Sequence, residues 1–414
     1  MKESAILKRS AFTYAFSILF TGVVNFIAIP VLKQKIGSAE FAWLNLYMNL
    51  LLVVSYIGAG WLVHSCIRFF PAVSGQKGFG KVFKKLAVFS GLATVVLALI
   101  TVLFFRHYTW MLVAFPATIL FINLQSFVVA WMQASIRPKA VAMAEVLRSL
   151  VFLTFILTIK NGQAYNIISM AWLGWLASYI VSLLFMLVMI KKYPSEKKED
   201  ETDADIKTIF IKFAAFGFPV SLWLAATFIL FYADRFFLLR HWPAAMVGHY
   251  SALFDVLQKG IGFVLSPLVT AAYPLLARLY EERKYAEVKK LSRKVLIWQG
   301  LISVTAVVGY IIVWPLLKEI LSITEGEETF FYSGLLVVGG TAIWQMNMVL
   351  HKPYELQHRT MFLLGIAVIS VALLLIADWF IIPKYGFIGA ASVFFTATIL
   401  YAIIILWKLR KKLS

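Results

Sequence analysis

Charge is what this sequence has least of. Asp, Glu, Lys and Arg make up 14% of its 414 residues, against about 25% in a soluble globular protein. Cys66 is the single cysteine, which excludes an intrachain disulfide and a thiolate-held metal cluster. The six histidines, His64, His107, His241, His249, His351 and His358, are scattered without metal-ligand spacing. No Ser-His-Asp set or zinc-protease helix is recognisable. His351 and His358 share a loop with Lys352 and Arg359, which reads as a solvated face. The stretches between apolar runs are too short for a soluble catalytic or nucleotide-binding domain. Neither a metal nor a cofactor is expected.

What fills the sequence instead is apolar. The chain is 61% hydrophobic, in recurring runs of about twenty residues, each long enough at 1.5 Å per residue to cross about 30 Å of hydrocarbon. They are not the ten-residue alternating segments of an outer-membrane barrel. Twelve spans are expected, at about 11–32, 41–62, 83–105, 109–132, 141–159 and 165–190, then 211–240, 246–276, 294–317, 329–350, 360–382 and 386–407. The first run, Ala11 to Leu32, is too long for a signal-peptide core and is expected to be retained. Between the halves, Lys191 to Lys207 (KKYPSEKKEDETDADIK) reads as a solvated linker. The fold class is thus an all-α polytopic membrane protein with twelve transmembrane helices in two six-helix bundles. Residues 1–190 and 211–414 form the bundles and 191–210 the cytoplasmic linker.

The net charge of +19 is a topology signal, not a nucleic-acid footprint. Most of the 39 lysines and arginines fall on one alternate set of connections, including the linker and both termini. The other set holds only Lys33, Lys35, Arg106, Lys160, Arg235, Arg240, Lys318 and Lys384. This asymmetry predicts both termini in the cytoplasm and an attraction to anionic inner-leaflet lipid. The longest external loop, Leu317 to Thr329, is acidic, with Glu319, Glu325, Glu327 and Glu328. A loose repeat relates Gly37–Leu51 to Met246–Leu257; setting Ala42 against Gly248 places Asn49 opposite Asp255. Halves of six spans related in this way enter the membrane from the same side, with a substrate site between them.

One phosphate-loop look-alike is set aside. Gly75 to Val82 (GQKGFGKV) has Val82 where a Ser or Thr hydroxyl should reach Mg²⁺, and a flexible basic loop accounts for it.

The informative residues are charges inside spans. Glu145 and Arg148 stand at i and i+3, and Asp255 and Lys259 at i and i+4, so each pair shares a helix face and is able to neutralise itself. Lys259 lies about 20 Å along its span, near the midplane, where a lysine costs about 2.5–3.5 kcal/mol and usually lines a polar cavity. Asp234 and Arg235 are adjacent in sequence. Neighbours on a helix do not face each other, so each is expected to find its partner elsewhere. Interfacial charges at a helix end and a functional role are both open for them. Asn25 in span 1, and Asn45 with Asn49 on one face of span 2, are the polar residues of the first half; interhelical hydrogen bonding and cavity lining are both open. Pro219 and Pro267 each remove a backbone bond from a span.

The run Ala233 to Leu253 (ADRFFLLRHWPAAMVGHYSAL), the prolines Pro267 and Pro274, and the basic helix end Ala277 to Lys284 (ARLYEERK) resemble the polysaccharide flippases of the multidrug/oligosaccharidyl-lipid/polysaccharide exporter superfamily. Those carry a D-R near the end of span 7 and a G-x-Y opening span 8. Ala42 stands where the first-half counterpart often has glycine. The resemblance implies an O-antigen-type flippase of the bacterial plasma membrane. Such a protein carries polyprenyl-diphosphate-linked oligosaccharide from the inner to the outer leaflet by alternating access. Its partners would be lipid-linked oligosaccharide and membrane lipid, with glycan-assembly enzymes as further candidates and no nucleic acid. Lys259 is then the first candidate for the diphosphate, with Arg148 and Arg235 behind it and Asn25 and Asn49 as polar lining. Asp255, Asp234 and Glu145 are candidates for coupling to protons or a cation.

A multidrug or small-solute exporter of the same superfamily is the main alternative, although only Glu145 qualifies as its acidic coupling residue in the first half. A major-facilitator transporter would carry its D-R motif in a cytoplasmic loop. A polytopic enzyme of glycan assembly would need a larger external loop than any present.

Overall fold

The computed structural model describes residues 2–105, 107–135, 137–159, 164–192, 200–203, 205–357 and 359–413. The first half runs through α1 (Lys2–Ile36), α2 (Ser38–Ser55), a π-helical turn (Tyr56–Gly60), α3 (Trp61–Val73), α4 (Phe79–Phe104), α5 (Met111–Ala134), α6 (Pro138–Thr158) and α7 (Ala164–Lys192). The second runs through α8 (Ile206–Tyr232), α9 (Asp234–His241), α10 (Ala244–Glu281), α11 (Tyr285–Ile320), α12 (Glu327–Leu350), α13 (Lys352–Leu356) and α14 (Thr360–Leu413). Among the described residues, eleven helical stretches are long and apolar enough to cross a membrane. The last, α14, is 54 residues long, more than twice the about 20 that one crossing takes. It is two helices meeting at Gly386, whose backbone (φ 54, ψ −129) is not helical. Twelve crossings follow, as the apolar runs predict.

Gly386 shows why that junction needs glycine. Its φ is positive, and an added Cβ would lie 2.8 Å from the Trp242 ring. Trp242 in turn donates its indole N–H to the Ile382 carbonyl at 3.1 Å, which takes up a carbonyl left over where the first of the two helices ends.

The chain packs as two compact units. The first comprises Met1–Ala28 and Tyr47–Ala225, the second Ile29–Leu46 and Ala226–Ser414. Packing therefore groups the residues differently from a division at the linker. The end of α1 and the start of α2 belong to the second unit, and most of α8, through Ala225, belongs to the first.

In the first unit, α8 lies against α3 through stacked rings. Trp61 and Phe218 are 5.2 Å apart and Phe69 and Phe213 5.8 Å. Ser65 donates to the Phe213 carbonyl at 2.7 Å. A Cβ on Gly217 would run into the Trp61 carbonyl, so this residue sets how closely the two backbones approach. Phe70, Phe79, Val82, Phe83 and Leu86 fill a core with Phe127 and Trp131.

The phosphate-loop look-alike belongs to this core. Gly78 takes a left-handed turn and α4 starts at Phe79. The expected flexible loop is thus ordered, because Phe79, Val82 and Phe83 are apolar and buried. Beside it, Gln76–Lys77 and Asp200–Asp203 form a two-stranded parallel pair with Gln76 opposite Asp200, a small departure from an all-helical chain. Part of the expected solvated linker, residues 193–199 and 204, lies outside the described residues.

In the second unit, Phe254 packs 5.1 Å from Phe394 and Phe231 5.5 Å from Trp344, with α12 against α10, α11 and α14. Lys33 at the end of α1 donates to the carbonyl of Leu321, and Gln34 to that of Ile320 at 3.2 Å. Both cap the C-terminus of α11, where carbonyls lack helical partners and a cation is favoured. His351, expected on a solvated face, is 3% exposed. It follows α12 directly, and its carbonyl accepts the amides of Tyr354 and Glu355, which turns the chain into α13 and carries the ring inward. His358, the other half of that expectation, lies outside the described residues.

Candidate functional site

The charges singled out within the spans gather in two places, one in each unit. In the second unit they sit where α8 runs on into α9. The ladder only tightens there: Ala233 keeps helical angles (φ −66, ψ −29), its amide bonds the Ile229 carbonyl at 2.9 Å, and its carbonyl accepts the Phe236 amide at 3.0 Å. Asp234 and Arg235 follow directly.

Asp234 and Arg235 nonetheless meet, because the long Arg235 side chain folds back over the preceding turn. Arg235 Nη1 donates to Asp234 Oδ1 and to the Phe231 carbonyl, both at 2.6 Å. The expectation that each finds its partner elsewhere is corrected: it left out the reach of an arginine side chain. Arg235 is wholly buried, its guanidinium 4.1 Å from the centre of the Phe254 ring and 4.8 Å from that of Tyr232. Tyr250 donates its hydroxyl to Asp234 Oδ2 at 2.9 Å.

The helix α10 supplies the rest of the cluster. Arg235 Nη2 is 3.7 Å from Asp255 Oδ1. Asn45, from the part of α2 that belongs to this unit, donates to Asp255 Oδ2 at 3.0 Å. Lys259, one turn along, reaches the same oxygen at 3.4 Å, as its i, i+4 spacing predicts. Lys259 is the outlying member: its side chain is 35% exposed, whereas Asp255 is 6% exposed.

Sequence reasoning missed Asp378 on α14. It is 1% exposed, and neither carboxylate oxygen is hydrogen-bonded within the protein. It lies within electrostatic reach of Asp234, Arg235 and Tyr250. The signal available was a lone acid in the apolar run from Leu373 to Phe380.

In the first unit, Glu145 and Arg148 form the pair that their spacing predicts. Arg148 donates to Glu145 Oε2 from Nη2 at 2.7 Å and from Nε at 3.1 Å. Gln125 donates to Glu145 Oε1 at 3.1 Å, and the Arg148 guanidinium lies 5.0 Å from the Tyr179 ring centre. These groups line a cavity of about 260 Å³ together with Ser55, Tyr56, His64 and Ser126. Its wall includes the π turn. There the Gly58 carbonyl accepts from Ser90 at 2.7 Å and from the Trp61 indole at 3.1 Å, and the Tyr56 carbonyl accepts from Ser221. Asn25, half-buried on α1, and Asn49, buried on α2, are not among the lining residues. Among the described residues, no three His, Cys, Asp or Glu stand close enough together to hold a metal.

A transporter-like helical chain with buried charges in each unit admits several families. The sequence profile of the family described as polysaccharide biosynthesis protein matches residues 7–280, more than half of the chain. The chain belongs to that family. The match covers all of the clustered residues except Asp378, and it bears out the resemblance to polysaccharide flippases read from Ala233 to Leu253.

Solved structures agree on the fold. The chain is similar to an inward-facing multidrug resistance MATE family transporter of the MOP superfamily, with a TM-score of 0.72 at 14% identity over 96% of this chain and 97% of the other. It is similar to the lipid II flippase MurJ in an inward closed conformation, with a TM-score of 0.71 at 15% identity over 96% and 87%. A MOP superfamily transporter from Pyrococcus furiosus gives 0.61 at 14% identity over 97% and 95%. No curated protein matches by sequence. The protein is a multi-pass membrane protein with the fold of MOP-superfamily flippases and exporters.

Proposed function

We propose that this chain carries a polyprenyl-diphosphate-linked oligosaccharide across the bacterial plasma membrane, for cell-surface polysaccharide synthesis. Membership of a polysaccharide biosynthesis family on a flippase and exporter fold carries this reading. The lysine and arginine asymmetry supports an orientation with both termini in the cytoplasm, and six-span bundles alternating in access would present the headgroup to each side in turn.

Lys259 is the residue proposed to meet the diphosphate. It is the half-exposed cation of the cluster, and its partner Asp255 is already held by Asn45 and faced by Arg235. Arg235 is wholly enclosed, so a substrate reaches it only if the cluster opens. Its place in this reading is to hold Asp234 and Asp255 apart and neutralised. Coupling falls to the carboxylates of the same network, Asp234 and Asp255 with Asp378 beside them, or to Glu145 in the first unit. One charge crossing a potential of about 100 mV gains about 2.3 kcal/mol, enough to bias a cycle.

The test is expression in a bacterium deleted for its own oligosaccharide-lipid flippase. Restored surface glycan supports the reading. No glycan, together with raised resistance to cationic drugs, would replace it with the multidrug-exporter alternative.

A further inference from the structure

The cavity of the first unit has a composition that a diphosphate site would not have. Its one full positive charge is Arg148, and two of the five N–H donors of that guanidinium are spent on Glu145. Glu145 is held on its other oxygen by Gln125. The ion pair is internally neutral, yet both members keep part of their side chains exposed, 19% for Arg148 and 29% for Glu145. Gln125 also donates to Ser182 at 3.4 Å. The lining therefore offers donors and acceptors side by side, from a guanidinium, a carboxylate, the Gln125 amide oxygen and the Ser126 hydroxyl, without a net charge. Tyr56 and Tyr179 add aromatic surface to the same wall.

We propose that this cavity is a sugar-recognition subsite, taking one uncharged pyranose ring of the transported glycan. A polyhydroxylated ring presents each hydroxyl as donor and acceptor together. It therefore pairs with a mixed lining of planar polar groups, while an anion would need a cation not already neutralised. Size limits the occupant to a ring or so. The cavity of about 260 Å³ falls below the about 300–1,000 Å³ of pockets that hold drug-sized ligands.

A second observation comes from the backbone. The π turn at Tyr56–Gly60 contributes Tyr56, Ala59 and Gly60 to the wall. Such single-turn bulges are rare and occur mostly at functional sites. Here side chains from Ser90, Trp61 and Ser221 bond its displaced carbonyls, so the fold maintains the irregularity instead of relaxing it.

The inference rests on the glycan-flippase reading, and the experiment separates the two. The full chain in phospholipid nanodiscs, free of glycoside detergents, is examined by saturation-transfer NMR. The probes are the methyl glycosides of glucose and of N-acetylglucosamine, and inorganic pyrophosphate, which carries no carbon-bound proton and is followed by its ³¹P line width. Transfer to at least one glycoside is expected, weakened about tenfold by Gln125→Leu, which removes the amide that holds Glu145 Oε1 in place for the ring and with it about one hydrogen bond's worth of binding, and abolished by Ser126→Phe, which fills the space. Gln125→Asn, which keeps the amide one methylene short, is expected to bind at an intermediate level and serves where the other variants lose their thermal transition.

No glycoside transfer in the wild type, or transfer undiminished in all three variants, would overturn the subsite. So would ³¹P broadening of pyrophosphate that the same substitutions abolish. If the wild type restores surface glycan in the deletion host while the variants bind glycoside as it does, the subsite alone falls. If the variants lose glycoside binding while the wild type exports no glycan, the flippase reading falls and the sugar site stands.

Discussion

Asn45 donates its amide to the Asp255 carboxylate at 3.0 Å across 210 residues of sequence. The bond ties the start of α2 to α10 within the second unit. Both residues are buried, at 6% and 4% exposure. Asn45→Leu removes a hydrogen bond to a charged group that water cannot replace. A loss of about 1.5–3 kcal/mol is expected, seen as a lower thermal midpoint in nanodiscs. Asn45→Asp should cost more, because it sets two carboxylates together.

Arg235 holds the same cluster from the other side. Removing one partner of a buried ion pair leaves an uncompensated charge, typically about 3–5 kcal/mol. Arg235→Met is therefore expected to lower the folded yield sharply. Arg235→Lys should rescue little, because a point charge cannot reach Asp234, the Phe231 carbonyl and Asp255 from one planar fork. Folded fractions by size-exclusion chromatography of fluorescent fusions give the comparison.

Lys259 should behave in the opposite way. Its bond to Asp255 is long and its side chain partly exposed, so Lys259→Ala should change stability by less than about 1 kcal/mol. Transport is expected to disappear all the same. Full glycan export by a normally inserted Lys259→Ala protein would remove this residue from the mechanism.

One pH dependence outside the spans concerns Asp205, just before α8. Its carboxylate accepts the Thr208 hydroxyl at 2.6 Å, the Thr208 amide at 2.9 Å and the Lys207 amide at 3.3 Å. These bonds, the Thr208 hydroxyl first, hold its carboxyl below the usual range. A depressed folded value means that the cap contributes in full above the ordinary aspartate pKa of about 3.9 and is lost as pH falls through the lower folded value. Protection of the Thr208 amide against hydrogen exchange, corrected for the intrinsic rate, should therefore fall in strong acid. Asp205→Asn should keep the cap and remove that pH dependence.

The spans were legible because membrane crossing is written in composition, and every expected run has its helix. The pairs Glu145–Arg148 and Asp255–Lys259 were legible because they are local. Three features were not. The π turn at Tyr56–Gly60 has the same apolar composition as ordinary helix, and only Gly58 and Gly60 hint at it. Neighbours on a helix point apart, so the contact between Asp234 and Arg235, made by the reach of the arginine side chain, was hidden. The bond from Asn45 to Asp255 depends on tertiary packing that no local period encodes. Asp378 is a different case: a lone acid in an apolar run is visible in the sequence, but its nearness to Asp234 and Arg235 is not, because those residues lie on a distant segment of the chain.

One last consequence follows from where the two packed units draw their residues. Ile29–Leu46 is packed into the second unit, and α8 as far as Ala225 into the first. A protease cut in the linker near Lys192 would leave two fragments, each missing a strip of its own unit and carrying a strip of the other's. Expressed singly, each fragment would expose the bed of the missing strip; expressed together, they would have to exchange strips to fold. The midpoint of the sequence is thus not a place where the fold can be divided.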